Sequence, residues 1–183
     1  MKELSLNILD ITQNSLAANA KNVEIVIDEN EKTLRVTIKD DGRGMDEETL
    51  KRVSDPFYTT RTTRKVGLGI PFFKLAAEQT GGSLTIQSTT ESADPINHGT
   101  LICALFYKDS IDFTPVGDIV STLCTLIQSL GNVNLVYIHT FPGGSISLDT
   151  SVLKKTLGEI PLSEPEVIMW INEYLNEQYD NNV

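Results

Sequence analysis

The chain of 183 residues is poor in cysteine, histidine and tryptophan, with two, two and one of them. Cys103 and Cys124 each lie in an apolar run without a partner at metal-ligand spacing, so neither a zinc site nor a disulfide framework is expected. We expect buried free thiols and a reducing compartment. No apolar run reaches the ~18 residues that a membrane span needs, and the N-terminus lacks a signal pattern. The sequence therefore predicts a cytoplasmic protein without membrane partners.

Basic residues are also scarce, because 15 Lys and Arg face 25 Asp and Glu and leave a net charge of −10. Residues 1–108 hold 13 basic and 15 acidic residues, whereas residues 109–183 hold 2 and 10, a balance of −2 against −8. This charge argues against nucleic acid as a partner, since nucleic-acid binding depends on Lys and Arg. The asymmetry predicts a domain over 1–108 and an acidic α/β extension over 109–183 packed on it.

Hydrophobic periodicity predicts an α/β (α+β) fold, a two-layer sandwich of a mixed or antiparallel sheet with helices on one face. Strands are predicted at 22–29 and 33–40, joined as an antiparallel hairpin, and at 83–88, 99–107, 133–141 and 145–149. Helices are predicted at 3–19, 46–53, 70–80, 114–130 and 150–157, and from residue 163 onward. Residues 55–68 are predicted to form a loop.

The first predicted helix carries a polar stripe, because Asn7, Asp10 and Asn14 are spaced by three and four residues and share one face. One interpretation is a solvated helix face. The other is a metal–phosphate site, in which an amide oxygen ligates Mg²⁺ and a carboxylate one turn earlier orients or deprotonates a nucleophile.

The second predicted strand ends in the segment Asp40–Met45, which holds two acids and two glycines. A carboxylate here can accept a hydrogen bond from an exocyclic amine, and Gly42 and Gly44 allow backbone to approach a flat ring closely. An ordinary turn from strand to helix is the alternative.

Two further segments suit an anionic ligand. Residues 59–65 contain Arg61, Arg64 and Lys65 and no acid, in a protein of net charge −10. Residues 67–71 place Gly67, Leu68 and Gly69 directly before a predicted helix, whose free N–H groups can bind phosphate. A solvated loop and a chance glycine pair are the alternatives for these segments.

Taken in order, the four segments make the chain resemble the GHKL superfamily of ATP-binding domains, which have the Bergerat fold. The N-box matches DITQNS from Asp10, the first glycine box matches DDGRG from Asp40, the phenylalanine box resembles Asp55-Pro56-Phe57, and the second glycine box resembles GLGI from Gly67. The likeness covers about residues 3–107 and is greatest to a histidine-kinase-like catalytic domain standing alone.

The resemblance implies ATP and Mg²⁺ as cofactors and a role for each matched residue. Asn14 would ligate Mg²⁺, Asp40 would accept from the adenine amine, and Asp10 would stand at the position of a catalytic general base. Gly42 and Gly44 would form the adenine floor. The phosphate contacts that the resemblance implies come from Arg61, Arg64, Lys65, Gly67, Leu68 and Gly69.

The chain departs from sensor kinases at several points. Ala17 stands where sensor kinases often have Lys or Arg. The ATP lid, the segment that contains Arg61, Arg64 and Lys65, is short. No strand precedes the first helix, so the C-terminal extension is expected to complete the sheet. No dimerisation and phosphoacceptor module is recognised, and His98 and His139 are interpreted as structural because neither lies on a helix before an acid.

Three functions remain open at this stage. The first is a signalling phosphotransferase that acts in trans on a separate protein partner. The second is an ATP-hydrolysing ATPase, which the acid at Asp10 favours. The third is a nucleotide-gated protein-binding module without fast chemistry. The partners expected are ATP and another protein, and a homodimer is possible.

Overall fold

The computed structural model describes residues 3–53 and 69–182. The elements are α1 (Leu4–Ala17), β1 (Asn22–Glu29), β2 (Thr33–Asp40), α2 (Glu47–Arg52), α3 (Gly69–Gln79), β3 (Ser83–Thr89), β4 (Gly99–Tyr107), α4 (Ile119–Ser129), β5 (Asn134–Phe141), β6 (Gly144–Asp149), α5 (Thr150–Leu157) and α6 (Pro165–Asn182). Among the described residues no helix is long and apolar enough to span a membrane.

Six strands form one mixed sheet in the order β3-β4-β2-β1-β5-β6. The hairpin of β1 and β2 is antiparallel, as predicted, with Val23 opposite Asp40. β4 is antiparallel to β2 and sets Thr100 opposite Asp40. β5 runs parallel to β1. The predicted mixed α/β sandwich is confirmed, and both predicted hairpin strands have the bounds expected from their period-two pattern.

One face of the sheet is buried beneath helices. β1 turns Val23, Ile25 and Ile27 into the core, and the intervening Val26 stays only partly buried on the other face. The core joins these side chains to apolar residues of α1, α3, α4 and α6 in one cluster. Each fully buried aliphatic side chain stabilises the fold by about 1.5–3 kcal/mol, so the sheet and its helices hold each other in place.

The predicted start of the fourth helix at Thr114 is wrong, because α4 begins at Ile119 with Asp118 as its cap. The preceding segment instead completes the start of α1. The amides of Leu4 and Ser5 donate to the carbonyls of Pro115 and Val116, at 2.9 and 2.8 Å. The first-turn amides of a helix have no partner within the helix, and residues 115 and 116 supply carbonyl partners for α1. These long-range hydrogen bonds outweigh the tendency of the Thr114-Pro115 pair to begin a helix.

The acidic extension continues the same sheet, since β5 pairs with β1 and β6 pairs with β5. This confirms that residues beyond 108 complete the sheet, whereas the boundary at 108 between two domains stays a prediction. Cys103 and Cys124 are free thiols, the first partly buried and the second buried.

A buried polar network fastens α6 to the sheet. The Tyr137 hydroxyl lies 2.6 Å from that of Tyr179, which lies 2.8 Å from Nδ1 of His139. Nε2 of His139 lies 3.3 Å from Glu29 at the end of β1. Because a carboxylate only accepts, His139 donates to Glu29 from Nε2 and accepts from Tyr179 at Nδ1. Burial lowers the pKa of His139, and the charge of Glu29 opposes that shift only in part.

This network predicts an acid-sensitive fold. Burial places the pKa of folded His139 below the unfolded value of about 6.5, so the unfolded chain binds the extra proton first as pH falls. Stability is then unaffected by this group well above 6.5 and decreases as pH falls through that value. Urea unfolding at pH 7.5, 6.5 and 5.5 measures the slope, which His139→Gln should flatten. An equal slope in both proteins would contradict the assignment.

Candidate functional site

The side chain of Asp40 lies at the end of β2 and is 8% exposed. Its Oδ2 accepts from the Ser15 hydroxyl at 2.6 Å, and its Oδ1 accepts from the amides of Gly42 and Thr100 at 2.9 and 3.2 Å. A carboxylate has about four acceptor positions. These three bonds fix its orientation and leave Oδ2 able to accept from one more donor, such as an exocyclic amine.

The neighbouring Asp41 has a different task. It accepts from the amides of Lys21 and Asn22, at 2.7 and 2.8 Å, and from the Asn22 side chain at 2.7 Å. Burial alone would raise the pKa of Asp41, but these hydrogen bonds outweigh it and lower the pKa. Asp41 therefore fastens the start of β1, and of the two adjacent acids Asp40 is the candidate for ligand binding.

The glycines after Asp40 are held so tightly that no side chain fits. A Cβ on Gly42 would lie 2.9 Å from the Cβ of Ala18, and one on Gly44, where φ is +69°, would lie 1.9 Å from the Thr89 carbonyl oxygen. The Gly42 carbonyl accepts from Nδ1 of His98 at 2.6 Å. The segment is thus a backbone platform held by close contacts on two sides, and its role as the adenine floor stays a prediction.

The polar stripe of α1 meets the start of α3. Asn7 is only 2% exposed, and its amide nitrogen donates to the Gly69 carbonyl at 3.2 Å. A Cβ on Gly69 would lie 2.8 Å from the Cβ of Asp10. The interpretation as a solvated face is therefore wrong for Asn7, and the N-box helix contacts the helix that follows the second glycine box. Asp10 and Asn14 are partly buried.

Several predicted site residues fall outside the described ranges, namely Arg61, Arg64, Lys65, Gly67 and Leu68. Those within them come together around α1: Asp40, Gly42 and Gly44 at its C-terminal end, and Gly69 beside Asp10. Asn14 lies between these two groups. Ser15 and Asn7 contact them at positions eight residues apart, about 12 Å along the helix axis.

Helix α1 carries side-chain oxygen atoms of the kind that Mg²⁺ binds. Mg²⁺ prefers hard oxygen ligands and usually takes few of them from protein, keeping waters and phosphate oxygens for the rest. Among residues 3–53 and 69–182 no group of three or more His, Cys, Asp or Glu side chains could hold a metal. Asn14, partly buried on α1, carries a side-chain amide oxygen, which is a ligand of the kind that Mg²⁺ accepts.

Sequence reasoning missed four contacts at this site, those of Ser15, Thr100, His98 and Asn7. Two of them carried a local signal, because Ser15 directly follows Asn14 in the N-box and Asn7 belongs to the polar stripe of the first helix. The contact of Thr100 depends on the register of β4 beside β2, and that of His98 on the path of the loop before β4.

Comparison with known families agrees with this geometry. Residues 1–109 match the family described as histidine kinase-, DNA gyrase B- and HSP90-like ATPases. This match covers more than half of the chain and includes every residue placed in the site. The chain belongs to this family, and its first part is a histidine kinase-like ATPase domain.

Curated relatives are kinases and a sensor protein. The chain is 34% identical over 70 residues to sporulation kinase A of Bacillus subtilis, covering 38% of this chain and 11% of that protein. It is 31% identical over 101 residues to the sensor histidine kinase YvrG of the same species, covering 52% and 16%. A putative sensor protein of Shewanella frigidimarina is 40% identical over 75 residues, covering 40% and 11%. The aligned parts therefore span only a small fraction of these relatives.

A solved structure shares the fold. The N-terminal domain of a DNA repair protein superposes with a TM-score of 0.56 at 14% identity, over 81% of this chain and 52% of that chain. Because the superposition extends beyond the length of the family match, part of the acidic extension also has a counterpart in that fold.

The two adjacent acids offer a matched test of the site. ATP with Mg²⁺ at 100 times its Kd stabilises a protein by about 2.7 kcal/mol, roughly 5–10 °C in Tm for a chain of this length. Asp40→Asn should abolish this thermal shift, because the adenine amine would meet an amide instead of a carboxylate. Asp41→Asn removes the same charge and should lower the baseline Tm but keep the shift.

Two results would contradict the assignment of Asp40. One is a thermal shift that survives in Asp40→Asn and disappears in Asp41→Asn. The other is an equal shift of the wild type with GTP and ATP, because GTP has a carbonyl where adenine has the exocyclic amine.

Proposed function

We propose that this chain binds Mg-ATP between α1, the segment after β2 and the start of α3, and transfers the γ-phosphoryl group to a separate protein in signalling. The observation that carries the proposal is the convergence on α1. Its Ser15 orients the buried Asp40, and its Asn7 and Asp10 contact Gly69 at the start of α3. One helix thus contacts both groups of site residues, at positions about 12 Å apart along its axis.

Each residue of this arrangement has a role in the proposal. Asp40 accepts from the adenine amine and selects the base, and the platform of Gly42 and Gly44 lies against the ring. Asn14 would hold Mg²⁺, and that ion would supply positive charge close to the phosphates. Gly69 begins α3, whose first amides face the phosphates, and Arg61, Arg64, Lys65, Gly67 and Leu68 supply further phosphate contacts in this proposal.

Transfer in trans is supported by the environment of the two histidines. His98 donates to the Gly42 carbonyl, and His139 is bonded on both ring nitrogens within a buried network. An acceptor nitrogen must reach the γ-phosphorus, form a P–N bond there and let ADP depart as the P–O bond breaks. Both rings are already hydrogen-bonded within the fold, which supports an acceptor other than these two histidines, and the proposal assigns it to a separate protein.

Hydrolysis is the second candidate, and the position of Asp10 favours it. Its carboxylate lies one helical turn before Asn14, close to Gly69, and a carboxylate there could take a proton from water as the water attacks the γ-phosphorus. A positioned general base typically contributes about 10²–10⁴-fold to the rate.

Two substitutions on α1 distinguish these roles. Asp10→Asn should leave Mg-ATP affinity nearly unchanged and reduce turnover by about 10²–10⁴-fold if Asp10 is the base. Asn14→Ala should weaken Mg-dependent binding itself, because a metal ligand is lost. Asp28→Asn, an exposed change of the same kind on β1, controls for charge. Isothermal titration measures the affinity for Mg-ATP, and phosphate release measures the turnover. If neither α1 variant differs from the control, the polar stripe has no chemical role.

Labelling with γ-³²P-ATP separates transfer from hydrolysis. The isolated chain should take up no acid-labile label, and label should appear on a purified phosphoacceptor or receiver protein from the same gene neighbourhood. Steady phosphate release without label would favour the ATPase. Self-labelling that disappears in His98→Ala or His139→Ala would refute transfer in trans.

A further inference from the structure

The solvent side of α6 combines aromatic and acidic side chains. Trp170 is 51% exposed and Met169 is 62% exposed. The Trp170 ring stacks on Tyr174 with centroids 5.4 Å apart and planes at 11°. At 3.6 residues per turn, three glutamates lie on the same side as Trp170. We call these residues the acidic-aromatic face: Glu166, Met169, Trp170, Glu173, Tyr174 and Glu177.

Of the apolar side chains on this face, Tyr174 packs partly against the core, whereas Met169 and Trp170 are exposed. α6 buries the opposite stripe, Val167, Ile171 and Leu175, against α4 and β6. Trp170 instead leaves half its surface in water and rests on Tyr174. A ring held by stacking loses little freedom on binding, and tryptophan is enriched among the residues that dominate binding energies at interfaces.

The charge of the face narrows the choice of partner. α6 contains four acids and no Lys or Arg, and among the described residues none of these acids forms an ion pair. A negative potential disfavours nucleic acids and anionic membranes. It also disfavours a second copy of this chain in a two-fold contact, because the same acids would meet each other. A cationic partner remains.

Arginine matches both parts of the face. Its guanidinium stacks on an indole ring and forms paired hydrogen bonds with carboxylates. Glu166 lies four residues before Trp170 and Glu173 lies three residues after it, so carboxylates flank the ring along the helix. A side chain stacked on Trp170 could therefore reach a glutamate on either side.

We propose that the acidic-aromatic face is a docking site for a Lys/Arg-rich segment of a partner protein, in which an arginine stacks on Trp170 between Glu166 and Glu173. The face lies outside the family match, which ends at residue 109, and binding there requires no nucleotide. The test of this docking site is therefore independent of the test of the nucleotide site.

Trp170 is the single tryptophan of the chain, so its fluorescence reports directly on the face. The probe is a 15-residue peptide with arginine and leucine along one helical stripe, titrated into the full chain in 50 mM NaCl. We expect a saturable change in Trp170 emission. Affinity should decrease roughly tenfold in 500 mM NaCl, because exposed charges are then screened. A peptide with glutamate in place of arginine should give no change.

Variants test whether the face, and not overall charge, binds the probe. The double variant Glu166→Gln/Glu173→Gln should weaken peptide binding at least tenfold, whereas Glu31→Gln/Asp109→Asn, an equal charge change at exposed sites elsewhere, should not. Trp170→Ala, measured by anisotropy of labelled peptide, should weaken binding with little change in Tm. Unchanged emission, equal loss in both double variants, or full binding by Trp170→Ala would overturn the proposal.

Discussion

The buried carboxylate of Asp40 is the constraint around which this end of the molecule is arranged. A charged group out of water is costly unless hydrogen bonds compensate it, and here the donors come from three separate parts of the chain. Ser15 comes from α1, Gly42 from the segment after β2, and Thr100 from β4. The three hydrogen bonds to this one carboxylate therefore fix the relative positions of a helix, a loop and two strands, and they leave one of its acceptor positions unused.

The acidic extension depends on the same sheet as the site. β5 lies parallel to β1, and the network from Tyr179 through His139 to Glu29 joins α6 to the end of β1. Burial of these groups also raises the pKa of Tyr179 to about 12, so both tyrosines stay neutral donors at ordinary pH. The nucleotide site and the acidic-aromatic face are thus built on one sheet, although they lie in regions of very different charge.

The local pattern of apolar and polar residues predicted many of the helices and strands. Contacts between segments that are distant in the sequence determined the rest of the structure. Period-two alternation gave the bounds of β1 and β2, because each strand buries one face. The Thr114-Pro115 pair resembled a helix start, yet that segment completes the first turn of α1 over a hundred residues away. Asp40 was predicted as the ligand acid from its place at a strand end. Its partners Ser15 and Thr100 were not, because their contact depends on how α1 and β4 pack beside β2.

A two-dimensional NMR titration of the ¹⁵N-labelled chain with Mg-ADP tests the central claim most directly. The claim is that the nucleotide lies along α1, with its base at Asp40 and its phosphates toward Gly69. The largest amide shifts should then occur at Gly42, Gly44 and Thr100 and at the start of α3, and those of α6 should remain in place. The absence of shifts, or shifts concentrated in the extension, would contradict the account.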